Sequence, residues 1–352
     1  MSPILVSPLK KCLELLGLTR ILTLFNPTIW GDGDGFDFWR RFLHTTIIGG
    51  WFVSVFWWAL ERDIVQLNGW DKDTQIKKLK PWTPAFWLGP STSILNYPTD
   101  FYQHIRNGTV KVIYADITHL TRHAVHLSTG ETLQVDALHC ATGWKHEPPI
   151  KISPPSLAAK LGLPTHFDES RIELTQRADI EILKRFPRLR DQPQVVLKKR
   201  GLGTKSAESH KTPYRLYRHL VPPATAYARN FAVTGVVASV GTTTSVQMQA
   251  LWITAYLDGT LHLPESIDEI EYSTELSTRF SSWRYPVDHG NRHAAFVFDS
   301  LLYVDSLLRD LGLKFKRKGS WWKEMVEGYA PADYSGIVAE WIALRRTASE
   351  KK

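Results

Sequence analysis

The stretch of residues 131–149, ETLQVDALHCATGWKHEPP, constrains the fold more than any other part of the chain. Within it, residues 135–141 form a short, mostly apolar run, which is typical of a buried strand. The run ends at Thr142 and Gly143, where a small residue and a glycine allow a ligand or another backbone to approach closely. We therefore expect a buried strand with a close-contact point at its end.

Three short segments around this run alternate in strand fashion, at residues 110–115, 124–127 and 132–135, with a turn at 128–130. A three-stranded meander that leads into a strand ending in ATGW is a specific arrangement. It resembles the late FAD-domain strand of two-dinucleotide flavoproteins, in particular the flavin-containing monooxygenase-like proteins of fungal secondary metabolism. Further stretches resemble the later, C-terminal part of the same family; they are residues 27–36, 81–90, 93–102, 215–223, 230–257, 303–305, 310–312 and 333–336.

The resemblance implies an α/β (α+β) fold, a truncated version of the two-dinucleotide flavoproteins. It would combine a β-meander and late Rossmann strands with a large helical, Trp-rich part. We predict four regions: a helical aromatic-rich substrate or cap region (1–105), the meander with the ATGW strand (106–150), the remainder of an FAD-type domain (151–260) and a C-terminal helical region (261–352).

A second informative stretch spans residues 230–257 and predicts a strand, a polar glycine turn and a helix. Thr243, Thr244 and Ser245 are good N-cap residues. The free N–H groups at such a helix start stabilise electron-rich atoms, and in related flavoproteins the equivalent start approaches the flavin. The alternative is a capped core helix that contacts no ligand.

The resemblance also implies individual site residues. FAD contacts would come from Thr142, Gly143, Gly235, Thr243 and Gln249. The substrate pocket would include Trp30, Trp87 and Asn96. FAD and NADPH are the implied cofactors.

The glycine loops that hold dinucleotide phosphates in this family are missing from the 352 residues. No GxGxxG follows a strand: residues 31–36 carry Asp32 and Asp34, which would repel a pyrophosphate, and residues 201–206 lack the first glycine of a P-loop. Three explanations stay open. The chain is a truncation, or its fold has repacked around other elements, or a partner protein supplies the missing strands.

Composition excludes several classes of protein. Two cysteines rule out a disulfide scaffold and predict a cytoplasmic protein. The net charge of +8 is spread along the chain, so we expect no nucleic-acid partner. The 14 tryptophans indicate either an aromatic-lined pocket or a Trp-rich core. We predict no metal site, because His119, His123 and His126 lie around a strand turn rather than on one helix face.

Residues 42–60 contain no Asp, Glu, Lys or Arg. About 20 apolar residues suffice to cross a bilayer, but threonines, glycines and a serine dilute this run. We expect a buried or membrane-facing helix, with membrane association through 42–60; a transmembrane span is the alternative.

Three functions follow from these features. The first is an FAD-dependent monooxygenase-like oxidoreductase acting on a hydrophobic secondary metabolite. The second is a redox-neutral cyclase or isomerase of the pericyclase type, which kept the substrate cavity and lost the cofactor site. The third is a non-catalytic accessory fragment. No catalytic residue is assigned, since no nucleophile–base or paired-carboxylate arrangement is specific enough.

Overall fold

The computed structural model describes residues 5–6, 11–81, 83–87, 99–141, 150–165, 169–193, 212–285, 290 and 294–349. The α-helices are α1 (Leu13–Gly17), α2 (Arg20–Phe25), α3 (Asp37–Thr45), α4 (Ile47–Asn68), α5 (Phe101–Arg106), α6 (Leu157–Lys160), α7 (Ile172–Arg185), α8 (Thr242–Leu257), α9 (Ile267–Arg284), α10 (Ser300–Asp310), α11 (Trp321–Val326) and α12 (Ile337–Ser349). The strands are β1 (Leu5–Val6), β2 (Lys11–Cys12), β3 (Ile117–Thr121), β4 (Ala124–Leu127), β5 (Thr132–Gln134), β6 (Val237–Ser239) and β7 (Ala294–Phe296). Helices and small sheets are therefore combined, as an α/β protein requires.

The meander exists as the antiparallel sheet β3-β4-β5, but its first strand was predicted too early in the chain. Residues 110–115 are not a strand, and β3 occupies Ile117–Thr121 instead. The backbone N–H of Val110 donates to the carbonyl of His104 (2.8 Å), outside any ladder. Val110 and Val112 also pack against a hydrophobic cluster. Their apolar character therefore reflects core contacts made by irregular backbone.

The predicted buried strand at 135–141 is wrong. These residues have no regular secondary structure, and 136–141 are exposed. Pairing with the meander ends at Val135, whose N–H donates to the carbonyl of His123 (2.8 Å). A short apolar run becomes a buried strand only when other strands flank it. Among the described residues no strand pairs with this run, so its backbone has no ladder partner.

The strand–turn–helix unit predicted for 230–257 is present in a shorter form. β6 pairs in parallel with β7, and α8 begins at Thr242. The cap is Gly241, so the predicted N-caps at 243–245 lie inside the first turn. The Thr242 hydroxyl donates to the carbonyl of Ser239 (2.6 Å), which closes the turn before those residues are reached.

The apolar run at 42–60 is divided between α3 and α4, which meet at Thr46. The Thr46 hydroxyl caps α4 by accepting the N–H of Gly49 (3.0 Å). No single helix among the described residues has the length and apolar character needed to cross a membrane. The pair of α3 and α4 meets those criteria together, with a bend of 89° between them.

Two hydrophobic clusters form the core. The first, which we call the α8 cluster, is built around α8, α10 and the parallel strands; its large members include Trp30, Trp252, Tyr256, Phe296 and Tyr303. The second, the α4 cluster, is built around the inner side of α4; its large members include Trp57, Trp70, Phe86, Trp87 and Phe280. Partly buried Ile29 packs against both clusters, so the loop before Trp30 lies where they meet.

Candidate functional site

A cavity of about 330 Å³ opens beside Trp30, within the size range of small-molecule sites. The Trp30 loop, Arg218, α9 and α10 form its walls. The lining residues are Ile29, Trp30, Asp32, Arg218, Ser273, Leu276, Ser277, Ser306, Arg309 and Asp310. We call this the Trp30 cavity.

The loop that carries Trp30 is fixed by a buried ion pair. The Arg40 guanidinium pairs with Asp34 and donates to the carbonyl of Gly31 (3.0 Å). A Cβ on Gly31 would lie 2.1 Å from that guanidinium, so a larger residue here would displace the buried Arg40 side chain. Arg309 reaches across from α10 and donates to the carbonyl of Trp30 (2.9 Å). These bonds fix the backbone that places Trp30 at the cavity wall.

The wall residue Arg218 (φ 53°) and the next residue, His219 (φ 56°), both have left-handed backbone although neither is glycine. Such conformations cost roughly 1–3 kcal/mol each and persist only where their surroundings impose them. Arg218 forms a two-pronged ion pair with Asp310, with N–O distances of 2.8 and 2.9 Å. Trp252 donates its indole N–H to the same carboxylate (2.9 Å). This fixed, strained turn adjoins the cavity, and strain of this kind clusters at functional sites.

His219 is 1% exposed, and its ring lies among aromatic rings. The ring centroids of Trp30, Phe296 and Tyr303 are 5.7, 5.1 and 6.3 Å from that of His219. Burial, and then the charge of Arg218, lowers the pKa of His219 to about 3. The imidazole is therefore neutral near pH 7. Among the described residues, neither His219 Nε2 nor Trp30 Nε1 has a hydrogen-bond partner.

Gln249, one of the expected FAD contacts, lies in a buried hydrogen-bond relay. Its Oε1 accepts the hydroxyl of Thr234 (2.8 Å), and its Nε2 donates to the Tyr303 hydroxyl (3.0 Å). Tyr303 then donates to the carbonyl of Arg218 (2.8 Å). Gln249 thus connects the loop before β6 to the cavity wall, and both ends of its amide are engaged by protein.

The structure separates the other expected site residues. Gly235 and Thr243 are exposed, and Gly235 has a φ of 83° with open space where a Cβ would lie. Trp87 is buried in the α4 cluster, with its ring centroid 4.8 Å from that of Phe86, whereas Trp30 belongs to the α8 cluster. Thr142, Gly143 and Asn96 lie outside the described residues.

The described residues do not fit a complete FAD. The β6–α8 connection offers a helix start capped by Gly241 without any side-chain cap bond, which suits the electron-rich edge of a ring. A dinucleotide pyrophosphate needs more, namely a glycine loop whose backbone N–H groups surround it. Gly235 opens onto free space and forms no such cradle. We therefore derive no chemical step through the flavin.

What the Trp30 cavity can do is bind a ligand with both apolar and polar parts. Trp30, Ile29 and Leu276 supply the apolar wall. Arg218 and Arg309 supply hydrogen-bond donors, although each is already engaged, by Asp310 and by loop carbonyls respectively. The charges of the wall balance in sign, so a neutral ligand carrying carbonyl or hydroxyl groups suits it better than an ion.

Sequence reasoning missed the charged half of this cavity. Arg218 and Asp310 lie in stretches quoted only for their family resemblance, Arg309 was not singled out, and Asp32 was interpreted only as part of a loop. The Arg218–Asp310 pair is 92 residues apart in the chain. The one local signal was the unusual density of charged and aromatic residues at 215–219.

Comparisons with known proteins add a family likeness. No protein-family profile matches the chain, and no solved structure matches it. Among curated proteins, "FAD-dependent monooxygenase resA" of Aspergillus sclerotiorum is 29% identical over 347 residues, which cover 93% of this chain and 58% of the relative. "FAD-dependent monooxygenase DEP4" of Alternaria brassicicola is 28% identical over 343 residues, covering 94% and 56%.

The chain thus spans between half and two thirds of the length of these curated relatives. The resemblance read from the sequence motifs is confirmed: along nearly all of its length, this chain is similar to fungal FAD-dependent monooxygenases.

Proposed function

We propose that the protein acts as an FAD-dependent monooxygenase-like oxidoreductase on a hydrophobic secondary metabolite. The observation that carries this proposal is the similarity over 93% of the chain to proteins named for that activity. FAD and NADPH are the proposed cofactors. Thr142 and Gly143 stay predicted FAD contacts, together with Gly235 and Thr243 at the exposed end of the β6–α8 unit.

We assign the substrate to the Trp30 cavity. Its volume suits a compact multi-ring or folded metabolite. The buried indole and Leu276 would contact the apolar body, and the Arg218 side of the wall would orient a carbonyl or hydroxyl. The protein's part in the chemistry is to hold the substrate in one orientation and to exclude water from it.

Cofactor content tests this proposal directly. The purified protein is incubated with FAD and passed through a desalting column, and flavin absorbance and NADPH-dependent oxygen uptake are then measured. We expect flavin to elute with the protein and oxygen uptake to increase with a metabolite extract. A protein that elutes without flavin and consumes no oxygen with FAD and NADPH present would overturn the proposal.

A matched pair of variants tests where the flavin binds. Thr243→Trp places a bulky ring at the exposed start of α8, and we expect FAD affinity to fall at least tenfold. Thr254→Trp places the same ring at an exposed position three turns further along α8 and should leave affinity unchanged. Equal effects of the two variants would argue against this location.

One observation favours the second candidate, a redox-neutral cyclase or isomerase. A cavity of substrate size is present, with an aromatic wall at Trp30 and strained backbone at Arg218. Such an enzyme would act by holding a reactive substrate in one folded conformer. The cyclase hypothesis predicts a product of unchanged mass that forms without FAD or NADPH. Turnover should fall at least tenfold in Trp30→Ala and should stay unchanged in the surface variant Trp321→Ala. Dependence on either cofactor would exclude it.

A further inference from the structure

The outer side of α4 presents a continuous apolar stripe to solvent. Its members follow helical spacing and comprise Ile47, Ile48, Trp51, Phe52, Val55 and Trp58. Ile47 is 94% exposed, and Trp51 and Trp58 are each 60% exposed. Contiguous exposed apolar surface of this kind marks an interaction site. We call these six residues the α4 stripe.

The stripe cannot be hidden by rotation of its own helix. The inner side of α4 is committed to the core through Val53, Trp57, Leu60 and Ile64, all at most 5% exposed. Trp57 also donates its indole N–H to the carbonyl of Phe25 (2.8 Å). The helix is apolar on both sides, and its inner side is packed in the core. Its outer side can therefore be buried only by a surface outside the described chain.

The charges attached to the stripe are basic. The Arg62 guanidinium stacks over the ring of Trp58, 5.6 Å from its centroid. Arg188 donates to the hydroxyl of Ser54 (3.0 Å), on the flank of the same helix. Both cations lie within reach of whatever covers the stripe, and they match a surface of negative charge.

The acidic residues of α4 do not cancel this charge at the stripe. Glu61 and Asp63 are half-buried and follow the stripe along α4, on either side of exposed Arg62. The chain as a whole carries a net charge of +8. The electrostatics therefore favour a partner surface of negative charge.

The length and direction of α4 indicate how the helix would lie on such a partner. The stripe from Ile47 to Trp58 is roughly 16 Å long, about half the thickness of a hydrocarbon core. α4 turns by 89° from α3, which exposes Phe38 and Trp39. A helix that is packed on the protein along one side, and whose exposed apolar stripe is shorter than a bilayer span, fits an orientation parallel to the bilayer surface. Tryptophan is the residue most favoured at the boundary between headgroups and acyl chains.

We infer that the α4 stripe docks the protein onto the surface of an anionic lipid bilayer. α4 lies parallel to the membrane, with Trp51 and Trp58 at the headgroup boundary and Arg62 and Arg188 beside lipid phosphates. This mode is interfacial attachment, in which apolar burial and attraction to anionic lipid act together. It is independent of the proposed catalytic function.

Vesicle co-sedimentation of the full chain tests the inference. The probes are phosphatidylcholine vesicles with and without phosphatidylserine, at low and at high salt. We expect sedimentation with both vesicle types, at least tenfold tighter with phosphatidylserine, and we expect salt to remove that difference. The double variant Trp51→Glu/Val55→Glu should lower binding to both vesicle types at least tenfold, whereas Arg62→Glu should lower only the phosphatidylserine-dependent part.

Trp321→Glu/Trp322→Glu is the matched control, since these two side chains are 67% and 65% exposed on α11 and lie outside the stripe. It should bind vesicles as the unmodified chain does. Circular dichroism checks that each variant is folded. Absence of sedimentation, or equal losses in the two double variants, would overturn the inference. So would a dimer in light scattering that dissociates on Trp51→Glu/Val55→Glu, because a second copy would then be the occupant.

Discussion

At the scale of single residues, the burial of His219 makes the stability of the fold depend on pH. Its pKa is about 3 in the folded protein, below the ordinary value of 6.5, because the ring is buried. On acidification the unfolded chain therefore binds the proton first. The stability that depends on neutral His219 is complete above pH 6.5 and is lost as the pH falls from 6.5 towards 3.

We expect His219 to lower the free energy of unfolding by about 2 kcal/mol between pH 7 and pH 5. This follows because at pH 5 the ring is protonated in the unfolded chain and neutral in the folded one. His219→Asn, which tolerates the left-handed backbone, should reduce stability at pH 7 and flatten its dependence on pH. The measurement is urea unfolding at several pH values.

The comparison of variants isolates His219 from other buried groups. Half-buried His44 acts in the same direction, since desolvation lowers its pKa to about 4. Buried Asp305 acts in the opposite direction, since burial raises its pKa to about 6. His44 and Asp305 contribute equally to the pH dependence of stability in the unmodified chain and in His219→Asn. His104→Asn, at an exposed position on α5, should leave the pH dependence unchanged; if His219→Asn does the same, the assignment is wrong.

At the scale of elements, two adjacent glycines of α4 differ in how closely they approach α3. A Cβ on Gly49 would lie 2.2 Å from the carbonyl oxygen of Phe42 and 2.6 Å from the Cα of Leu43. A Cβ on Gly50 would have no atom within 4 Å. The same substitution should therefore act in opposite directions at neighbouring positions of one helix.

Gly49→Ala should destabilise the fold by about 1–3 kcal/mol, because backbone of α3 must move away. Gly50→Ala should stabilise it by roughly 0.5–1 kcal/mol, through the lower conformational entropy of alanine in the unfolded chain. Midpoints of chemical denaturation measure both. Equal shifts in one direction would mean that the close contact between α3 and α4 does not exist in solution.

The elements also show why some predictions from pattern succeeded. The helix predicted within 230–257 is present as Thr242–Leu257, because helical periodicity and its end signals are local. The strand expected at 135–141 fails because a strand needs neighbours, and their presence is not encoded in its own residues. The corner at Thr46 lies inside a run that composition alone describes as one apolar segment.

At the scale of the whole molecule, Arg284 ties distant segments together. It is 0% exposed at the end of α9. It donates to the carbonyl of Phe86 (2.6 Å) in the α4 cluster and to the Oδ1 of Asn26 (2.6 and 3.1 Å). The Nδ2 of Asn26 donates to Asp299 (3.2 Å), which also accepts the hydroxyl of Tyr285 (2.7 Å). A buried cation thus holds three chain segments through amide and carboxylate partners.

Arg284→Met should cost about 3–5 kcal/mol of stability, because it leaves buried acceptors without their donor. Arg279→Met is the control on the same helix. It removes a part-exposed ion pair with Asp179, whose side chains are 29% and 24% exposed, and should cost no more than about 1 kcal/mol. Guanidinium denaturation compares the two variants, and similar losses would contradict a special role for the buried network.

The sequence by itself determined the family likeness, the presence of the three-stranded meander and the β6–α8 unit. All of these depend on local periodicity and on motifs a few residues long. Only the tertiary structure decided that 135–141 is exposed, that Gln249 is engaged at both ends, and that Trp30, Arg218 and Asp310 enclose one cavity. The reason is physical: burial and pairing are properties of contacts between residues far apart in the chain, and Arg309 and Trp30 at this cavity are separated by 279 positions.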